Sequence, residues 1–122
     1  MPRGNFSGKG YEPEKLLQWV KEYKIGGVVF FAGQPTTQAR ITNQLQAASK
    51  VPLLIGQDFE WGLAMRLDST VRFPYQLSLG AMQGNEALIE QMGAEIGQQC
   101  KRLGVHVNYA PVVDININPN NP

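Results

Sequence analysis

Residues 25–31 read IGGVVFF, a short and almost unbroken apolar run. A run of this length is typical of a parallel strand that is covered on both faces. Residues 51–56, VPLLIG, form a second run of the same kind, and a third predicted strand extends from Val105 to about Val113. These three segments decide the fold, because sequence with helical spacing of apolar residues separates each from the next.

Three helices are predicted before and between the strands. The first begins near Pro13, a residue favoured in the first helical turn, and Thr36 or Thr37 can cap the second. The third begins after Asn85, which can cap it, and stops at Gly104. Their predicted buried stripes are Leu16, Leu17, Val20 and Tyr23, then Ile41, Leu45 and Ala48, then Leu88, Met92, Ile96, Cys100 and Leu103. The alternation of helices and strands predicts an α/β protein with a parallel sheet.

Composition narrows the functional classes. The 122 residues are 43% hydrophobic and 17% charged, which is typical of one globular domain with a core. The formal charge of +1 disfavours a nucleic-acid partner, and no apolar run approaches the roughly 20 residues of a membrane span. Cys100 is the only cysteine, which excludes an internal disulfide and a cysteine-based metal site. Residues 1–11 are interpreted as a flexible lead-in without a signal peptide, and the compartment stays open.

Polar residues follow the predicted strands at the positions where ligands bind in parallel α/β proteins. The segment after the second strand is the most informative. Asp58 can face a pocket there and accept hydrogen bonds from two neighbouring hydroxyls, which suits a sugar diol. Trp61 can offer an aromatic face to a sugar ring, and Arg66 can orient a carboxylate, either Asp58, Glu60 or Asp68.

Each of these residues also has a purely structural interpretation. Asp58 can be a cap for the following turn, and Trp61 can be a packed anchor of the loop. Glu60 and Arg66 can form an ion pair that only holds the loop. His106, the only histidine, alternates with apolar residues in a strand, which favours a hydrogen-bonded or exposed residue over a catalytic base.

Several common catalytic and binding motifs are missing from the sequence. It contains neither a G-x-S-x-G nucleophile motif nor a glycine-rich phosphate loop. Asp114 is followed by Asn116, Asn118, Asn120 and Asn121, but the spacing lacks the glycine and glutamate of a calcium-binding loop. We therefore interpret this segment as a polar turn, and we expect no metal and no cofactor.

The order and spacing of several short motifs resemble family 3 glycoside hydrolases from about Tyr23 to the end of the chain. The form D-x-E-x-G is closer to the bacterial β-N-acetylglucosaminidase branch than to the β-glucosidases, although Trp61 stands where that branch usually has glycine. The matching segments are DFEWG at 58–62 with Arg66, FP at 73–74, LGA at 79–81, GV at 104–105 and NYAPVVD at 108–114.

The resemblance implies a (β/α)8 barrel of TIM type, of which residues 12–122 would form a part with about three strands and three helices. It implies that Asp58 binds hydroxyls of the sugar in the innermost subsite. The family is retaining, and its aspartate nucleophile, acid/base, lysine–histidine pair and substrate-binding arginine all lie beyond the strand that ends near Asp114. The resemblance therefore implies a carbohydrate substrate for a longer parent protein, of bacterial cytoplasm or periplasm, and no catalytic residue in this chain.

Two alternatives to a fragment of a glycosidase remain open: a small α/β module that binds a sugar without cleaving it, and an interaction fragment without a ligand. Whichever applies, the first and third strands would lack neighbours that a full barrel of roughly 250 residues supplies. Their unpaired edges and the exposed apolar side of the sheet predict self-association of the chain.

Overall fold

The computed structural model describes residues 12–113, 117–118 and 120, in which helices and strands alternate. Residues 1–11, predicted to be a lead-in, lie outside this part of the chain. A 3-10 turn, Leu63–Met65, follows the second strand. The helices are α1 (Pro13–Tyr23), α2 (Pro35–Ala48), α3 (Gln76–Gly80) and α4 (Glu86–Leu103), and the strands are β1 (Gly27–Val29), β2 (Leu54–Gln57) and β3 (Val107–Asn108).

The three strands form one parallel sheet in the order β1-β2-β3. Val28 lies opposite Ile55, and Gly56 lies opposite Val29 on one side and Val107 on the other. The chain returns from β1 to β2 through α2, and from β2 to β3 through α3 and α4. The predicted α/β fold with three parallel strands is confirmed.

The strands are shorter than the sequence predicts, and the third differs most. β3 pairs only with β2 among the described residues, and β2 ends at Gln57 where the chain turns into a loop. The last ladder bond runs from the Tyr109 N–H to the Gln57 carbonyl, at 3.0 Å. Because no partner continues beyond that bond, the prediction of a strand as far as Val113 was wrong.

The helix boundaries confirm α4 and correct α2. α4 follows Asn85 and ends at Gly104, which adopts the left-handed conformation with φ of 74°. Asn85 occupies the N-cap position, but its side chain makes no capping hydrogen bond, so the prediction that it caps the helix was wrong. Pro35 occupies the first turn of α2, so the helix begins before Thr36, and neither predicted threonine caps it. Helix α3 was not predicted, because five residues are too few to show a helical period.

The core lies between one face of the sheet and helices α1, α2 and α4. Tyr23 and Leu88 were expected in the buried stripes but are 70% and 52% exposed, because they stand at the outer ends of α1 and α4. The buried cluster comprises Val20, Phe30, Ile41, Leu45, Leu53, Ile55, Phe59, Leu63, Leu67, Ile96, Cys100 and Val105.

The opposite face of the sheet is not covered by any described helix. Ile55 is fully buried against the helices, whereas Leu54, its neighbour in β2, is 60% exposed and Val107 is 36% exposed. The Tyr109 side chain covers part of this face, since a Cβ on Gly56 would lie 2.7 Å from its ring. We call this side of the sheet, with Leu54, Gly56, Val107 and Tyr109, the open face.

Candidate functional site

Asp58 leaves β2 at its carboxyl end, next to the residues that leave β1. The Phe30 N–H donates to the Gly56 carbonyl at 3.1 Å, so the pairing of the two strands continues past the end of β1. Continuing that register by two residues places Phe31 beside Asp58. Both then project from the open face, because side chains alternate along a strand and Phe30 points into the core.

Arg66 reaches back over the loop to these two residues. Its Nη2 contacts Asp58 Oδ2 at 2.5 Å, and its guanidinium carbon lies 5.7 Å from the centre of the Phe31 ring. Both charged side chains are about one-quarter exposed, at 26% for Arg66 and 27% for Asp58. Asp58 Oδ1 accepts no hydrogen bond from the described residues, so one oxygen of the carboxylate is free to meet a ligand.

This contact selects one of the three carboxylates that the sequence offered to Arg66. Asp68 instead accepts a hydrogen bond from Gln34 Nε2 at 3.1 Å. The structural pairing of Glu60 with Arg66, one interpretation of the sequence, was wrong, since the salt bridge in the described part of the chain joins Arg66 to Asp58. Arg66 therefore serves the strand-end aspartate, which is the residue that the motifs single out.

The loop that carries Arg66 is fastened by main-chain bonds to Gly33, in the connection between β1 and α2. The Gly33 N–H donates to the Arg66 carbonyl at 3.1 Å, and the Asp68 N–H donates to the Gly33 carbonyl at 2.9 Å. These bonds form a parallel bridge between Gly33 and Leu67. Because the main chain on both sides of Leu67 is bonded to Gly33, the backbone of Arg66 is held beside the connection that follows β1.

Asn108 of β3 holds the start of the same loop, a role that was not predicted from the sequence. Its Oδ1 accepts a hydrogen bond from the Phe59 N–H at 2.9 Å, one residue after Asp58. The sequence signal for this bond was an amide side chain at the end of a predicted strand, where it can reach the main chain of a neighbouring loop. The three strand ends thus converge on Asp58 as the parallel topology predicts.

Trp61 lies in the interior of the loop and contacts protein. Its ring meets the Tyr75 ring edge-on, with centroids 4.8 Å apart and planes at 74°. Its carbonyl accepts from the Phe73 N–H at 3.1 Å, and its Nε1 is buried without a hydrogen-bond partner among the described residues. These contacts favour the anchor interpretation of Trp61 over sugar stacking.

A family model described as the glycosyl hydrolase family 3 N terminal domain matches residues 9–122. The chain belongs to this family. Its relatives include β-hexosaminidase A of Pseudoalteromonas piscicida, 36% identical over 90% of this chain, and a β-hexosaminidase of Thiobacillus denitrificans, 32% identical over 75% of this chain. The chain spans only 20% and 28% of those two proteins.

Solved structures share the fold of this family 3 domain. One, described as a fungal multi-domain β-N-acetylglucosaminidase with an N-acetyltransferase region, matches 88% of this chain with a TM-score of 0.75 at 30% identity. Another, a β-glucoside phosphorylase named BglX, matches 93% with a TM-score of 0.73 at 27% identity. The chain covers 14% and 22% of them, so it matches a part of each longer chain, in agreement with the predicted partial (β/α)8 barrel.

The family 3 domain also has a groove of about 610 Å³ between α4 and β3, on the side of the sheet away from Asp58. Glu60, Met92, Lys101 and His106 are among the residues that line it. The His106 ring is hydrogen-bonded, as the sequence analysis favoured, because its Nδ1 accepts from the Ile55 N–H at 3.0 Å. Cys100 also lines the groove, and burial raises the pKa of its thiol. A protonated, enclosed thiol is a poor nucleophile.

The sequence also gave predictions about metal ions, the asparagine-rich segment and membrane spans. No group of three or more His, Cys, Asp or Glu residues that could hold a metal ion occurs within 12–113, 117–118 and 120. Asp114 and Asn116 lie outside those ranges, whereas the Asn118 side chain accepts from the Asn120 N–H at 3.0 Å, as in a polar turn. None of the helices in the described part of the chain has the length and apolar character that crossing a bilayer requires.

Proposed function

We propose that this chain is part of the barrel domain of a retaining glycoside hydrolase that acts on β-linked N-acetylglucosamine or a related β-glycoside. In this proposal Asp58 binds the sugar, Arg66 orients Asp58, and the chain by itself carries out no hydrolysis. Family membership and the names of the relatives, two of them β-hexosaminidases, support a hydrolase acting on glycosides.

The single observation that carries the proposal is the geometry of Asp58. Its carboxylate lies at a convergence of strand ends, with Oδ2 bound by Arg66 and Oδ1 left without a hydrogen bond from the described residues. A charged oxygen with free lone pairs accepts hydroxyl hydrogens strongly, and neighbouring hydroxyls of a pyranose present such donors as a pair. The Asp58 carboxylate does not need a divalent metal ion to balance its charge, because Arg66 already does so.

The proposed inactivity of the isolated chain follows from the requirements of the reaction. A retaining glycosidase with two carboxylates needs them roughly 5 Å apart, on either side of the glycosidic bond. Asp58 serves as a binding group here, and its neighbour Asp68 is engaged with Gln34. Binding without a nucleophile and a general acid leaves the bond intact.

The test combines a binding assay with an activity assay on the purified 122-residue chain. We expect methyl β-N-acetylglucosaminide to shift the NMR amide signals of residues 57–60 and 66, and the Asp58→Ala variant to lose this response. Asp68→Asn is the matched control, because it changes a neighbouring carboxylate that faces Gln34, and it should keep the response. Aryl β-N-acetylglucosaminides should remain uncleaved.

Each outcome separates one interpretation from the others. A chain that shows no response to methyl β-N-acetylglucosaminide or methyl β-glucoside would contradict a sugar site at Asp58 and favour an interaction fragment. Turnover of the aryl substrate that Asp58→Ala abolishes would show that the chain is catalytic by itself. A response to sugar without turnover is the expected result.

A further inference from the structure

Phe31 contacts Arg66, the partner of Asp58 at the strand ends, and none of the sequence motifs assigns it a role. Continuing the register of β1 and β2 places Phe31 beside Asp58, and the guanidinium carbon of Arg66 is 5.7 Å from the centre of its ring. An arginine at this distance from an aromatic face is attracted to the ring. The same guanidinium donates to Asp58 Oδ2 at 2.5 Å, so it lies between an aromatic ring and a carboxylate.

We propose that Phe31 is a positioning residue of the sugar subsite. Its ring fixes the guanidinium of Arg66 so that Arg66 binds a single oxygen of Asp58 and leaves the other oxygen for sugar hydroxyls. The proposal rests on the proposed function for the identity of the ligand. It concerns whether Arg66 binds one oxygen of the Asp58 carboxylate or both.

That choice matters because arginine and carboxylate commonly form two parallel hydrogen bonds. A guanidinium that turned to bind Asp58 in this way would occupy both oxygens and compete with the sugar. In the structure, Arg66 makes one such bond, and its Nε is enclosed without a partner among the described residues. Among the described residues, the polar and cation–ring contacts of the head group are therefore the bond to Asp58 and the ring of Phe31.

The main chain of Arg66 does not fix the head group by itself. Its carbonyl is tied to the Gly33 N–H, but several rotatable side-chain bonds separate that anchor from the guanidinium. Removing the ring should leave the side chain attached at its base and free at its end. The guanidinium would then exchange between the single bond and the paired arrangement.

The experiment compares Phe31→Leu, which removes the aromatic face, with Phe31→Tyr, which keeps it, in the full 122-residue chain. The order parameter of the Arg66 Nε–H bond, from ¹⁵N relaxation, should fall below about 0.6 in Phe31→Leu and keep its value in Phe31→Tyr. The dissociation constant for methyl β-N-acetylglucosaminide should rise about fivefold in Phe31→Leu, in line with the loss of a cation–π contact.

Trp19→Leu is the matched control. Lys15 Nζ lies 5.7 Å from the Trp19 ring on α1, the same separation as in the Arg66–Phe31 pair, but without a carboxylate of the site. This variant should change neither the Arg66 order parameter nor the sugar affinity. It therefore accounts for any general effect of losing one aromatic ring and one cation contact.

The outcomes for Phe31 and for the proposed function are distinguishable. An unchanged Arg66 order parameter in Phe31→Leu overturns the inference, and so does a lowered order parameter with unaltered affinity for the sugar. If the unmodified chain binds no sugar, the proposed function fails, and the order parameter alone decides whether Phe31 positions Arg66. Failure of Phe31→Tyr to retain the order of Arg66 would also contradict the role of the ring.

Discussion

At the scale of single residues, Asp58 is the proposed sugar ligand, and its charge is the property to remove. If the chain is part of a longer active glycosidase, as proposed, we expect Asp58→Ala in that protein to lower kcat/KM about 100-fold and Asp58→Asn to lower it less. Two hydrogen bonds to a charged group contribute about 1.5–3 kcal/mol each, and about 3 kcal/mol corresponds to two orders of magnitude in rate. Steady-state kinetics with an aryl glycoside measure the effect, and near-normal kinetics for Asp58→Ala would reduce Asp58 to a structural cap.

Gly62 is the residue of the same loop whose replacement should cost the most stability. Its φ of 82° and ψ of −174° fall in a region that is essentially restricted to glycine, and a Cβ there would lie 2.5 Å from the Phe73 ring. We expect Gly62→Ala to lower the free energy of unfolding by roughly 3 kcal/mol, because strain and overlap add.

Gly104→Ala is the control for Gly62, to be measured by the same chemical denaturation. Gly104 is also left-handed, with φ of 74°, but a Cβ there would meet only Thr42 Cγ2 at an ordinary 3.7 Å. We expect Gly104→Ala to lower the free energy of unfolding by roughly 1–2 kcal/mol, which is the cost of the left-handed conformation alone. Equal losses of stability in the two variants would show that the Phe73 ring can move aside without lowering the free energy of unfolding.

The residue scale also shows which parts of the site the sequence could predict. The position of Asp58 at the edge of the sheet was predictable because it directly follows an apolar strand, and the carboxyl ends of parallel strands share one edge. Its role as a sugar ligand stays a prediction. The choice of Asp58 as the partner of Arg66 was not predictable, since it depends on how the Leu63–Met65 turn folds the chain back. The bond from Asn108 was missed because it spans 49 positions in sequence and depends on the sheet register.

At the scale of elements, α2 and β2 are joined by a buried pair of amides. Gln38 Nε2 donates to Gln57 Oε1 at 2.6 Å, and Gln38 and Gln57 are 2% and 0% exposed. Gln57 is the residue before Asp58, so this bond ties the end of β2 to the helix behind it. The side-chain Oε1 of Gln38 and Nε2 of Gln57 are buried and have no hydrogen-bond partners among the described residues.

This pair should show strong energetic coupling. Gln38→Leu or Gln57→Leu alone leaves a buried amide with no partner and should cost about 1–3 kcal/mol of stability. The double variant removes both amides, so we expect it to be more stable than the sum of the single effects by at least 1 kcal/mol. Denaturant unfolding of the four chains measures the coupling, and additive losses would contradict it.

Thr42 offers the control for the amide pair, since it lies one helical turn after Gln38 on α2. Its hydroxyl is buried and has no hydrogen-bond partner among the described residues. Thr42→Val removes the hydroxyl and keeps the shape, so it should be neutral or slightly stabilising. A large loss of stability in this variant would indicate a bond to the hydroxyl that the static structure lacks.

The elements were predictable from sequence to the extent that each has its own period or apolar run. α4 was found with both ends, because its 18 residues contain a full stripe and a left-handed glycine follows them. α3 was missed and β3 was predicted too long, because their extents depend on neighbours in space. A five-residue helix shows no period, and a ladder stops where its partner strand stops.

At the scale of the whole molecule, the open face and the sheet edges are the dominant unsatisfied features. Leu54 is 60% exposed and Val107 36% exposed on that face, and Tyr109 and Val112 add further exposed apolar surface beyond β3. β1 and β3 each pair with β2 alone among the described residues. The main-chain N–H and C=O groups on their outer edges therefore face no neighbouring strand there. The formal charge of +1 gives little repulsion between copies.

We therefore expect the isolated chain to self-associate through the open face or a strand edge. Its weight-average mass in light scattering and sedimentation equilibrium should rise above 13.5 kDa as concentration increases. Leu54→Lys should restore the monomer, because a charge on the open face opposes apolar contact between copies. Val71→Lys is the control, since Val71 is 62% exposed but lies outside the sheet, and it should leave association unchanged. A monomer at high concentration would contradict the expectation, and equal effects of the two lysine variants would place the contact elsewhere.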